Sequence, residues 1–221
     1  MSDQEIVSAY ALTTLSRVKD RLQITQPDFD AILTRLINGA TDYIERECGK
    51  TGLEKYPNDG HFISKTYTNE VYSVRGRKQL YLVLRNAPVS ALTSFQWRAG
   101  TPSNPNWTDF ITDQFELVEE GTSGIVRVYG VMPRLYDNML RATYTAGYLV
   151  DWPNAGSSET HRLPADLTNL CENLVTRIYK RRLLDGKASE NIQGATTSWR
   201  DNLDAFDRTT IENYRRVIIS A

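Results

Sequence analysis

The chain has 221 residues, 40% hydrophobic and 24% charged, with 26 lysines and arginines against 27 aspartates and glutamates. That length can bury the core of one domain or two small ones, and the near-neutral balance excludes a global attraction to nucleic acid or an anionic membrane, so any such attraction has to be local. No apolar run reaches the roughly 18 residues of a membrane span, and "MSDQEIVSAY" has neither a basic n-region nor an apolar h-region, so a protein made and kept in a cytosol is expected.

The first element is "LTTLSRVKDRLQIT", where Leu15, Val18, Leu22 and Ile24 share one side and Thr13 or Thr14 can cap a short helix over about 14–24. After "TQPD", Pro27 and Asp28 can start a second helix over 28–48. Its stripe is Phe29, Ile32, Leu33, Leu36, Ile37, Ala40, Tyr43, Ile44 and Cys48, and Gly49 stands where it should stop. So short a connection predicts that the two helices pack as a hairpin.

From His61 the period changes to alternation. "FISKTYTNEVYSV", "QLYLVLRN", "SALTSFQWR", "QFELVEE", "GIVRVYG" and "LRATYTAGY" read as six strands, and "AGTPSNPNWT" as the longest loop between them. Helix returns over 164–184, opened by Pro164, with Leu167, Leu170, Cys171, Leu174, Val175, Ile178 and Tyr179 as its stripe and Gly186 at its end. This is the expected second cover for the helix of 28–48. "KASENIQGATTSWRDNLDAFD" has too few apolar residues for a core of its own, and "RTTIENYRRVII" is a final amphipathic segment. The fold class is therefore α+β. A helical hairpin (1–60), a β-strand module (61–162), a long helix completing the helical body (163–186) and an extended arm with a terminal amphipathic helix (187–221) follow in order.

Catalytic patterns are absent from the sequence: no phosphate-binding glycine loop, no H-E-x-x-H, no C-x-x-C, no G-x-S-x-G. His61 and His161 lie in turn-like sequence, and Cys48 and Cys171 sit inside helical stripes as buried thiols, so neither a metal site nor a Cys-His pair is expected. The runs "DQFELVEE" and "RDNLDAFD" read as solvated acidic faces, although folding can bring two carboxylates together in a glycan hydrolase. No cofactor is called for, and an enzyme is not expected.

Charge is uneven along the chain. Val71 to Thr108 contains no acid but has Arg75, Arg77, Lys78, Arg85 and Arg98, and a second basic cluster, Lys180, Arg181 and Arg182, closes a helix where cations also suit the helix dipole. Arg75, Arg77, Lys78, Arg181 and Arg182 are candidate contacts to phosphate or to an acidic partner. With Tyr67, Tyr72, Tyr81, Trp97 and Tyr144 as possible stacking groups, the strand region also allows a nucleic-acid-binding module as the alternative function. In the tail, Trp199, Phe206, Ile211, Tyr214, Val217 and Ile218 are candidate interface residues, or else they fold back on their own subunit.

"LTTLSRVKDRLQIT" followed by "FDAILTRLINGATDYIERECGK" resembles the N-terminal signature of head-tail connector (adaptor, or head completion) proteins of tailed bacteriophages. The phrase "IERECGK", Ile44 to Lys50, carries the likeness, and "LPADLTNLCENLVTRIYKRR", "ENIQGATTSW" and "TTIENYRRV" resemble the family's later helix, arm and terminal helix. The resemblance implies a structural virion protein. A homo-oligomeric ring of about a dozen copies would sit beneath the portal, extend the DNA channel and meet the next neck or tail protein. It also implies a place in the virion neck for a protein made in the host bacterial cytoplasm; no membrane partner is expected, and the basic clusters allow a non-specific contact with channel DNA.

Overall fold

Thr14 caps the first helix, its side chain accepting from the Arg17 amide at 3.3 Å. In the computed structural model, which describes residues 6–50, 60–73, 80–101, 103–129, 140–150, 152, 162–182, 189–192, 195–198 and 203–215, α1 spans Leu15–Leu22. A single 3-10 turn at Pro27–Phe29 leads into α2, Asp30–Glu47. Gly49, with φ 71°, terminates it, as the Lys50 amide reaches back to the Glu45 carbonyl at 2.7 Å. Then β1–β7 follow at Lys65–Tyr72, Leu80–Val83, Val89–Arg98, Trp107–Asp109, Phe115–Leu117, Ile125–Val128 and Leu140–Ala146. The chain closes with α3 (Ala165–Arg182), β8 (Ser189–Ile192), β9 (Ala195–Ser198) and α4 (Ala205–Tyr214). The protein is α+β, and the strands named here pair antiparallel in each described sheet.

The chain divides into two compact units. One is Met1–Gly52 with Leu163–Arg216, the other Leu53–Arg162 with Val217–Ala221. In the helical unit α2 packs against α3 and α1 touches both. Leu33, Ile37, Ala40 and Ile44 of α2 are buried, as are Leu167, Leu170, Cys171, Leu174 and Val175 of α3. Each fully buried Leu or Ile contributes about 1.5–3 kcal/mol, so this seam dominates the unit. One residue of the expected α3 stripe departs from it: Ile178 is 46% exposed, because no described element covers that side of the last two turns.

In the β unit a four-stranded sheet, ordered β1-β7-β3-β4, and a three-stranded sheet, β2-β6-β5, enclose one core that includes Tyr67, Leu84, Phe95, Val126, Leu140 and Tyr144. The six expected strands are present, and a seventh, β4, lies inside the segment read as a loop, held on β3 from Gln96–Asp109 to Arg98–Trp107. A bulge in β1 decides what the core contains. The register with β7 slips between Tyr67 and Glu70, where Asn69 takes φ 56°, so Glu70 and Tyr72 point inward in place of Asn69 and Val71. Glu70 then accepts from the Tyr144 hydroxyl at 2.7 Å and from Tyr72, while Arg85 lies 3.7 Å away and stacks on the Tyr72 ring at 4.6 Å. Glycine is required at Gly121, with φ 85°, because a Cβ there would stand 2.0 Å from the Val89 carbonyl oxygen.

The segment read as an extended arm carries a hairpin. β8 and β9 pair from Ser189–Ser198 to Ile192–Ala195, with two residues between the strands. α4 then begins at Ala205, three residues before the expected Arg208.

Both thiols lie in the helical seam. Burial pushes Cys48 up to about 11 and Cys171 up to about 12 from the ordinary 9.0. The folded chain therefore keeps protons that the unfolded chain releases above pH 9, and these groups favour unfolding as pH rises from 9 toward 11. At pH 8 an aromatic disulfide reagent should find no fast-reacting thiol in the native protein and two in guanidinium. A fast native thiol would contradict this burial.

Candidate assembly surfaces

α4 rests on its own helical unit through a set of polar clasps. Asp204 is its N-cap, accepting from the Asp207 amide at 2.8 Å, and both aspartates receive Arg177 of α3, Asp207 at 2.8 Å and Asp204 at 3.3 Å. At the other end the Tyr214 hydroxyl donates to Asp166 at 2.9 Å, and Arg215 Nε donates to the Glu47 carbonyl at 3.2 Å. Between them Ile211 is 3% exposed, its carbonyl 3.7 Å from Cys48 Sγ. Phe206 is 63% exposed. The tail candidates are thus sorted: Ile211 faces inward, Tyr214 is tied by its hydroxyl, and Phe206 faces out. Trp199, Val217 and Ile218 lie outside the described residues.

The end of α3 is organised around rings. Tyr179 meets Phe29 edge-on at 6.2 Å, and the Arg182 guanidinium lies 4.4 Å from the Tyr179 ring centre and 5.7 Å from that of Phe29. Arg182 is half-buried, whereas Lys180 and Arg181 are exposed.

Of the basic strand region, Arg75, Arg77 and Lys78 lie outside the described residues. Arg85 is drawn to Glu70, and Arg98 is buried. Tyr67, Tyr72 and Tyr144 are core residues, with Tyr67 and Tyr144 stacked at 5.3 Å, so they cannot serve as a platform for bases. Burial, the largest cause for both, then Glu70 for Tyr72 and Tyr72 with Glu70 for Tyr144, raises the two phenols far above the ordinary value. Among the described residues no group of three or more His, Cys, Asp or Glu could hold a metal ion, and no helix is long and apolar enough to cross a membrane.

The clasp of Arg177, Asp204, Asp207 and Asp166 was not legible as a site. Its one sequence signal is the "DAFD" spacing, in which an N-cap aspartate precedes another by three residues.

Fold and surfaces define a class first: a two-unit α+β protein whose helical unit is stapled by charged clasps and which presents large apolar side chains outward. A sequence model of head completion proteins matches residues 11–217, so the chain belongs to the head completion protein family, the connector class that its N-terminal phrases resemble. Among solved structures, a chain in the neck of an empty GTA particle, computed with C6 symmetry, aligns over 96% of this chain and 94% of its own. The TM-score is 0.57 and the identity 18%, a shared fold. No curated protein sequence matches.

Removing the Arg177 cation leaves the buried Asp207 carboxylate without its partner. Because Arg177 is itself a third exposed, the cost of Arg177→Ala should be about 1–3 kcal/mol, below that of a fully buried pair. Amide hydrogen exchange across residues 205–214 should accelerate, while α2 stays protected.

Proposed function

We propose that this protein is a structural component of the phage neck, joining head to tail. What carries the reading is the family match, which runs through both the helical and the β unit and leaves only the chain ends unmatched. The solved neighbour belongs to a particle neck computed with sixfold symmetry, which supports a cyclic assembly here. About a dozen copies would form a ring beneath the portal and continue its channel, through heterologous contacts in which one patch meets a different patch of the next subunit. The tail-side face of the ring would receive the next neck or tail protein.

The role is geometric and involves no catalysis. The tail residues Trp199, Phe206, Tyr214, Val217 and Ile218 would supply the portal or inter-subunit contact. Phe206 already stands in solvent on a helix whose attachment is chiefly polar. Arg75, Arg77 and Lys78 would meet channel DNA only through phosphate, without sequence preference and with a strong dependence on salt.

Light scattering of the purified protein, alone and mixed with its cognate portal, tests the reading. A ring, preformed or formed on the portal, is expected; a monomer that ignores portal overturns it. Phe206→Ala should change the melting temperature little, since most of the side chain stands in solvent. Portal affinity should fall by about tenfold or more, the usual loss for an aromatic anchor. Unchanged affinity would remove Phe206 from the interface.

A further inference from the structure

The outer face of an antiparallel sheet is normally polar where it meets water. That of β2-β6-β5 is not. Leu82, Val126 and Val128 face the core, so their neighbours Tyr81, Val83, Ile125, Arg127 and Tyr129 lie on the opposite face, together with Glu116. The register places Tyr81 and Glu116 on either side of Arg127, and Val83 beside Ile125. Tyr81, Val83 and Tyr129 are 48%, 54% and 42% exposed. The Arg127 guanidinium stays within the face, 5.3 Å from the Tyr81 ring centre, donating to Glu116 at 2.7 Å and to the Tyr129 hydroxyl at 3.5 Å. Tyrosine and arginine around aliphatic side chains is the composition of interface hot spots.

The rim of this face is acidic. Between Arg98 and Arg127 there is no lysine or arginine, and beyond the Glu116–Arg127 pair Asp113, Glu119 and Glu120 are all exposed. Glu119 and Glu120 fill the turn from β5 to β6 at φ 54° and 51°, a left-handed conformation that non-glycine residues seldom adopt. Asp113 stands at the other end of β5. A complementary partner therefore presents an apolar side chain flanked by cations.

The chain carries such a group itself. Ile178, 46% exposed, lies one turn before Arg181 on the same side of α3, and Lys180 flanks it. We propose that the outer face of β2-β6-β5 docks the last turns of α3 from a second copy of this chain. Ile178 sits among Tyr81, Val83 and Tyr129, and Lys180 and Arg181 face the acidic rim. The assignment rests on the ring reading above and names its contact surfaces. It also assigns the α3 cations to protein and not to DNA, since phosphate offers nothing to an exposed isoleucine beside them. The two patches differ, so the contact is heterologous and propagates from copy to copy. A net charge of −1 sets up no general repulsion between copies.

The test uses full-length protein and two charge-reversed variants, Glu119→Lys with Glu120→Lys and Lys180→Glu with Arg181→Glu, checked for folding by circular dichroism. Sedimentation velocity at low salt, with and without cognate portal, should show wild-type copies associating and each variant weakened by about tenfold or more. An equimolar mixture of the two variants should recover association, and Ile178→Ala should weaken it without lowering the melting temperature. Wild-type copies that stay monomeric in both conditions, or assembly indifferent to either reversal, overturn the proposal. Rings formed on portal by the reversed chains with wild-type affinity would overturn this contact and leave the neck role standing. Absence of the protein from purified particles would overturn the neck role itself, whatever the copies do in solution.

Discussion

The helical unit depends on where the charge of Glu172 is neutralised. This carboxylate is buried on α3, and its three hydrogen-bond donors all come from one short segment: Thr13 at 3.0 Å, Arg17 at 2.9 Å and Arg21 at 3.1 Å. A buried carboxylate stripped of partners costs several kcal/mol. α1 therefore cannot leave α3 without stranding it. Held in this way, α1 turns Val18 into the core, and Leu12, next to Thr13, donates its amide to Thr41, whose hydroxyl also meets Cys171 at 3.8 Å. One charge thus fixes how the N-terminal segment sits on both long helices.

The β unit uses the same device with different donors. Glu70 accepts from two phenols through Oε2 and faces Arg85, 3.7 Å from Oε1, which also donates to the Val71 carbonyl at 2.6 Å. Such a group contributes less to net stability than to uniqueness, because a one-residue slip of β1 would exchange Glu70 for Asn69 in the core and strand the two hydroxyls. The bulge at Asn69 and the buried acid are therefore one feature. The left-handed residue turns the carboxylate inward, and the carboxylate makes any other register costly.

What the sequence made legible follows from periodicity. The stripes of α2 and α3 and the six alternating segments are long enough to impose a period, and all of them formed. β4 escaped because Trp107 follows "SNPN", whose proline and asparagines signal a turn. β8 and β9 escaped because "SENI" and "ATTS" are polar and lack alternation; the two-residue spacing with Gly194 was the one available sign. Arg85, one cation of the basic strand region, turns inward for a different reason. The acid-free window opens at Val71, one residue after Glu70, and it is Glu70 that takes up Arg85. A charge count along the chain cannot see a partner that arrives through the sheet. The same limit hid the Arg177 clasp and made Ile178 read as core, since a stripe says which residues share a side and not whether anything covers it.

Those internal pairings also explain why net charge is a poor guide to this surface. Arg17, Arg21, Arg85 and Arg177 are all spent on buried or half-buried acids of their own chain. Two exposed stretches among the described residues stand apart in sign. Acid collects along β5 and its turns, and base collects at the end of α3, each beside an exposed apolar side chain. Evenly mixed charge gives solubility without direction, and a single-sign surface gives repulsion between copies. A patch of one sign on one copy favours approach by the patch of opposite sign on another and disfavours like meeting like. The proposed head-to-tail contact between copies would use that distribution.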